Sequence, residues 1–132
     1  MTETQSEGSP TPEDDMDIFL RSIRSSRLIN ETRLERLASE FRKSEVATGR
    51  LAVALFASIL VEKGELTCWQ CAKLRNGQFN GFFCDEFKLV DCMGYDRERN
   101  YYLAELVNSG RRVVLAFRPD GTAKNYEVLK HF

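Results

Sequence analysis

Four cysteines and one charged turn are the residues with the most chemical potential in this chain. Cys68 and Cys71 stand in Cys68-Trp69-Gln70-Cys71, and Cys84 and Cys92 follow. Four thiolates can hold a structural zinc, and a Cys-x-x-Cys pair can exchange a disulfide. Zinc sites of this type sit on tight turns, as knuckles. Here the first pair falls among helical signals, and the other two fall in strand-like context at uneven spacing. The thiols are therefore expected to be buried small apolar groups with no bound metal. A cysteine-based metal-binding module is the alternative. The turn Asp96-Arg97-Glu98-Arg99 alternates in sign, which suits a water-exposed hairpin tip.

Apolar spacing outlines the elements that position these groups. Residues 1–15 offer almost nothing to bury and are expected to form a disordered acidic tail. Met16, Phe19, Leu20 and Ile23 share one helical face, as do Leu34, Leu37, Ala38 and Phe41 behind an N-cap at Asn30. After Gly49 a third helix is expected over about 50–63, apolar nearly all round and hence central, with Gly64 ending it. Thr67-Cys68-Trp69-Gln70 matches a capping box, so a short fourth helix starts there. Its Trp69 is expected to hold it against the third helix, and Asn76-Gly77 stops it.

Residues 76–83 form an aromatic connector, with Phe79, Phe82 and Phe83 expected to pack across both halves. Strands are expected at 87–93, 101–107 and 112–117, with turns at Asn108-Ser109-Gly110 and Pro119-Asp120-Gly121. Residues 125–132 are expected to begin a helix. The fold class is thus α+β. A small helical bundle over 16–75 covers a three-stranded antiparallel sheet over 84–132, which needs such a layer to be stable.

Charge narrows the function classes. The net charge of −1 hides an asymmetry, because residues 1–17 hold six carboxylates and no base. Arg21, Arg24 and Arg27, with Arg33 and Arg36, line the polar sides of the first two helices. Arg21, Arg24 and Arg27 are the candidate docking residues for an acidic protein partner, or for the chain's own tail. Glu31, Glu35 and Glu40 dilute them and no aromatics interleave, which argues against nucleic acid. The longest apolar stretch, 51–61, is too short to span a bilayer, and the acidic start is unlike a secretory signal. A cytoplasmic location with reduced thiols is the expectation.

One stretch carries a family likeness. Phe87-Lys88-Leu89-Val90-Asp91-Cys92-Met93-Gly94, then Tyr101-Tyr102-Leu103-Ala104-Glu105, then Arg112-Val113-Val114-Leu115-Ala116-Phe117-Arg118-Pro119 resembles the opening of bacterial Ser/Thr protein kinases. Those read as a strand, a Gly-rich loop, a YLAEH-like strand and a VALKVL-like strand. Upstream, residues 51–61, Glu62-Lys63-Gly64-Glu65-Leu66-Thr67, Trp69-Gln70, Lys73-Leu74 and Gly77 are similar to the helical segment before the kinase domain in planctomycete-type members. The likeness covers most of 16–132 and reaches only the first strands of the kinase amino-terminal lobe.

The resemblance implies an ATP loop whose diagnostic residues have been replaced. Gly94 alone matches the glycine set. Asp96, Arg97 and Arg99 stand where later glycines fall, and Glu98 where a Met falls. Glycines let backbone amides approach phosphate, and side chains there block that approach. Ala116 stands where the third strand would carry its phosphate-binding Lys, and HRD and DFG motifs do not occur. The expectation is a non-enzymatic, pseudokinase-like regulatory or interaction module without catalytic residues or a cofactor. Its partner would be a protein, either a Ser/Thr kinase or a second copy paired through a sheet edge. An amino-terminal piece of a Ser/Thr kinase, with its catalytic lobe missing or separately encoded, is the alternative.

Overall fold

Local signals in the first half set four helices before any strand. The computed structural model describes residues 14–44, 47, 51–118 and 126–132. Most of the expected tail, Gly49 and the turn at 119–121 lie outside the described residues. Helix α1 spans Asp15–Ser26, and the Asp14 carboxylate caps it by accepting from the Asp17 amide at 2.8 Å. Asp14 and Asp15 thus belong to the helix start and not to the tail. Helix α2, Glu31–Arg42, begins behind Asn30, whose side chain accepts from the amides of Thr32 and Arg33.

Helix α3 runs Ala52–Glu62 and α4 runs Cys68–Arg75. Gly64 follows α3 at φ +75, and the amides of Gly64 and Glu65 bond back to Val61 and Leu60. That left-handed turn closes the helix and favours a residue without Cβ. Phe19, Ile23, Leu34, Phe56, Leu60 and Leu74 are wholly buried between these helices. Each such side chain contributes roughly 1.5–3 kcal/mol by leaving water. One expectation fails for α3, which is not enclosed all round. Leu51 just before it and Leu55 on it are 67% and 39% exposed, because no other described element covers that side.

The sheet has five strands, not three: β1 Phe83–Cys84, β2 Phe87–Tyr95, β3 Asn100–Leu106, β4 Arg112–Phe117 and β5 Tyr126–His131. They pair antiparallel in chain order. The expected terminal helix is strand β5. Tyr126 and Val128 alternate inward while Glu127 and Leu129 face out, a period of two that a helix cannot satisfy. Strand β1 is only two residues long and ends the connector.

Two cores result. One fills the helical bundle and includes Phe82. The other, with Phe87, Leu89, Ala104, Val113, Leu115 and Phe117, lines the inner face of the sheet. The sheet is curled, since Tyr126 of the last strand packs edge-on against Phe87 of the second, with centroids 5.8 Å apart. Of the three connector phenylalanines, only Phe82 packs inward. Phe79 and Phe83 stay 39% and 44% exposed, and Phe83 points out where its neighbours Phe82 and Cys84 point in.

Candidate functional site

The hairpin tip between β2 and β3 holds the charged turn Asp96-Arg97-Glu98-Arg99. Tyr95 pairs with Asn100, leaving Asp96, Arg97, Glu98 and Arg99 as the tip. Gly94 lies within β2 opposite Tyr101, at φ +132, a conformation that L side chains rarely adopt. The Asp96 carboxylate organises the turn. Its Oδ1 accepts from the Glu98 and Arg99 amides, both at 2.8 Å, and its Oδ2 accepts from the Tyr101 hydroxyl at 2.8 Å. The Tyr101 bond first, then the two amides, hold this carboxyl below the usual carboxylate range. Amides that face a phosphate in a nucleotide loop are engaged here by the chain's own carboxylate.

The neighbouring strands complete this site. Ala116 is 2% exposed and sits in register between Tyr101 and Glu127. Arg99 pairs with Glu127 at 2.8 Å, tying the tip to β5. Arg97 is exposed on the tip. The structure therefore brings Gly94, Asp96, Arg99 and Ala116 into one corner of the sheet.

The arginines lie elsewhere, on the bundle. Arg24 reaches Glu35 at 3.8 Å, and Arg27 is the left-handed residue that ends α1. Arg21 is exposed on the same helix. Arg33 is engaged by Glu65 at 2.8 Å.

A second constellation joins the two layers, and sequence reasoning saw only half of it. The Thr67–Gln70 capping box is present in both directions. Both side chains also reach across to β2. Thr67 Oγ1 donates to the Val90 carbonyl at 2.5 Å, and Gln70 Nε2 donates to the Leu89 carbonyl at 2.9 Å. Gln70 is 3% exposed, so its amide is satisfied inside the protein. Trp69, between them, does not merely hold α4 against α3. It packs on Phe82 at 5.6 Å and on Tyr102 of β3 at 5.7 Å, and so touches both cores. The capping box was the only part of this constellation that the sequence signalled.

Beside this joint opens a cleft of about 440 Å³. One wall is the cross-strand row Lys88, Glu105 and Arg112, in which Glu105 meets Lys88 at 3.7 Å and Arg112 at 3.3 Å.

The cysteines separate. Cys84 lies in the sheet core and Cys92 is exposed on β2, while Cys68 and Cys71 share α4. Among the described residues, no group of three or more His, Cys, Asp or Glu is placed to hold a metal ion. No helix among them is long and apolar enough to cross a membrane. No family profile, curated protein sequence or solved structure matches this chain. The kinase likeness rests on the sequence segments quoted above.

Proposed function

We propose that this chain is a non-catalytic protein-interaction module, pseudokinase-like in its relation to bacterial Ser/Thr protein kinases. The observation that carries the reading is the Asp96 carboxylate seated on the Glu98 and Arg99 amides. A phosphate approaching that turn meets a negative charge where it needs donors. The buried methyl of Ala116 offers no cation to offset it.

The contact surface in this reading is the outer edge of β5. That strand pairs on one side only among the described residues, and it exposes Leu129 and Phe132 at its far end. An edge with apolar side chains supports strand addition by a partner or a second copy. The outer edge of β2 is a poorer template. Two register shifts bend it, and its Leu89 and Val90 carbonyls are taken by α4.

Calorimetric titration with Mg-ATP tests the first half of the reading, with no heat of binding expected. Phosphate transfer to any acceptor, or ATP bound at micromolar strength, overturns it. Sedimentation over a range of concentrations, alone and with a Ser/Thr kinase of the same cell, tests the second half. Association that Leu129→Glu abolishes is expected. Association unchanged by that substitution removes the β5 edge from the proposal.

A further inference from the structure

The capping turn of α4 brings two thiols to one groove beside α3. Thr67 is the N-cap, so Cys68 is the first helical residue and Cys71 lies one turn on, on the same face. Cys68 is exposed, whereas Cys71 is 5% exposed. Both line one open groove of about 430 Å³ between α3 and α4, walled by Ala54, Ala57 and Ala72. The Cys71 thiol points at the Ala57 carbonyl, with Sγ 3.9 Å from the oxygen. An exposed thiol at a helix start with a buried one behind it is the arrangement that dithiol exchange requires.

We infer that Cys68 and Cys71 form a reversible dithiol–disulfide pair that is oxidised from the α3–α4 groove by a low-molecular-weight disulfide of the glutathione class. The Cys68 thiolate attacks one sulfur of the oxidant. The oxidant's S–S bond breaks, one glutathione leaves and takes up a proton, and a mixed disulfide forms on Cys68. Cys71 then releases its proton to solvent and attacks the Cys68 sulfur. The protein disulfide forms and the second glutathione leaves as a thiol. Two electrons pass from the protein dithiol to the oxidant, and a dithiol reductant reverses both steps.

The second step needs the buried thiol. Burial first, then the neighbouring Cys68 sulfur, push the Cys71 thiol up to about 11, with Arg75 acting against them. Glu62, Cys68 and Arg75 are the titratable groups that line the groove with it. At neutral pH little Cys71 is thiolate, so ring closure quickens as pH rises towards that value. Cβ atoms one helical turn apart sit about 5–6 Å from each other, wider than a relaxed disulfide prefers. The bond is therefore strained and readily reduced, suited to a switch and not to a staple.

The switch acts at the joint between the layers. Thr67 and Gln70, which bond β2, alternate along the chain with Cys68 and Cys71, which face the groove. Trp69 lies within this turn and is the only tryptophan, so its fluorescence reports the change.

The test uses the full chain with glutathione disulfide at neutral and mildly alkaline pH. The tryptic peptide 64–73 contains both cysteines. It is expected to lose two hydrogens, faster at the higher pH, while Trp69 fluorescence falls and dithiothreitol restores it. Cys71→Ser is expected to stop at one glutathione on Cys68, and Cys68→Ser to leave the peptide unmodified. Cys71→Ala serves where the serine variant does not fold. A glutathione that stays on wild-type Cys68 at alkaline pH, with no loss of two hydrogens, overturns the inference. So does a chain whose peptide 64–73 is never modified.

Discussion

The Tyr126 hydroxyl donates to Asp85 Oδ2 at 2.7 Å, joining the last strand of the sheet to the turn between its first two. Asp85 occupies that turn at φ +52, a left-handed conformation that Asp tolerates better than most residues. One side chain thus shapes the β1–β2 turn and fastens the opposite end of the sheet to it. Tyr126→Phe removes the bond and keeps the ring packing on Phe87 and Phe117. Denaturant unfolding is expected to show a loss of about 1 kcal/mol. Asp85→Gly is expected to cost less than Asp85→Ala, since glycine loses the bond but accepts the backbone.

The same bond sets an alkaline limit. The hydrogen bond to Asp85, then slight burial, push Tyr126 up from an ordinary value of 10.0 to about 12. A raised folded value means that the folded chain holds the proton more tightly. The bond's contribution is fully present below about 10 and is lost as pH rises towards about 12. Tyr101, bonded to Asp96, and Tyr102, by burial, are raised as well. The test is therefore a difference: Asp85→Asn is expected to return one late step of the tyrosinate absorbance towards the ordinary range and leave the others in place.

At the hairpin tip the direction is opposite. Asp96 is held below its ordinary value of 3.8 by Tyr101 and the two amides. Its turn is therefore stable above that value and loosens as pH falls below it. Asp96→Ala is expected to speed hydrogen exchange at the Glu98 and Arg99 amides at neutral pH. ATP binding is expected to be absent from Asp96→Ala and from Asp96→Gly with Ala116→Lys. Gain of nucleotide affinity by the double variant would instead show a loop with a latent phosphate site.

Gln70→Ala leaves the Leu89 carbonyl facing a cavity with no donor. Because Gln70 is buried and its bond crosses between layers, a loss of about 1–3 kcal/mol is expected in chemical denaturation. A surface glutamine would cost far less, so a small change would place Gln70 outside the joint.

Much of the helical half was legible because its signals are local. Asn30, Gly64 and the Thr67–Gln70 pair act within one turn of themselves, and each does what its type predicts. The sheet was harder to read, for two physical reasons. Strand β1 is only Phe83 and Cys84, too short for any period to show. Strand β5 carries its charges at Glu127 and Lys130, three residues apart as on one helix face, so its two inward residues, Tyr126 and Val128, look as acceptable on a helix. Only pairing with Val113–Phe117 decides between the two states, and that is a long-range fact. Asp96 as the organiser of its turn was within reach, since Asp at the start of a tight turn often bonds the amides two and three residues on. The reach of Gln70 and Trp69 across to the sheet was not, because nothing local to α4 announces β2 and β3 as neighbours.

Because one indole is shared by two interiors, the chain cannot be divided into halves that each keep a complete inside. A cut anywhere between residues 70 and 82 gives a bundle missing its Phe82 plug and a sheet missing its Trp69 lid. The layers are therefore expected to melt as one unit, and a disturbance on α4 to be felt in the sheet without any hinge having to turn.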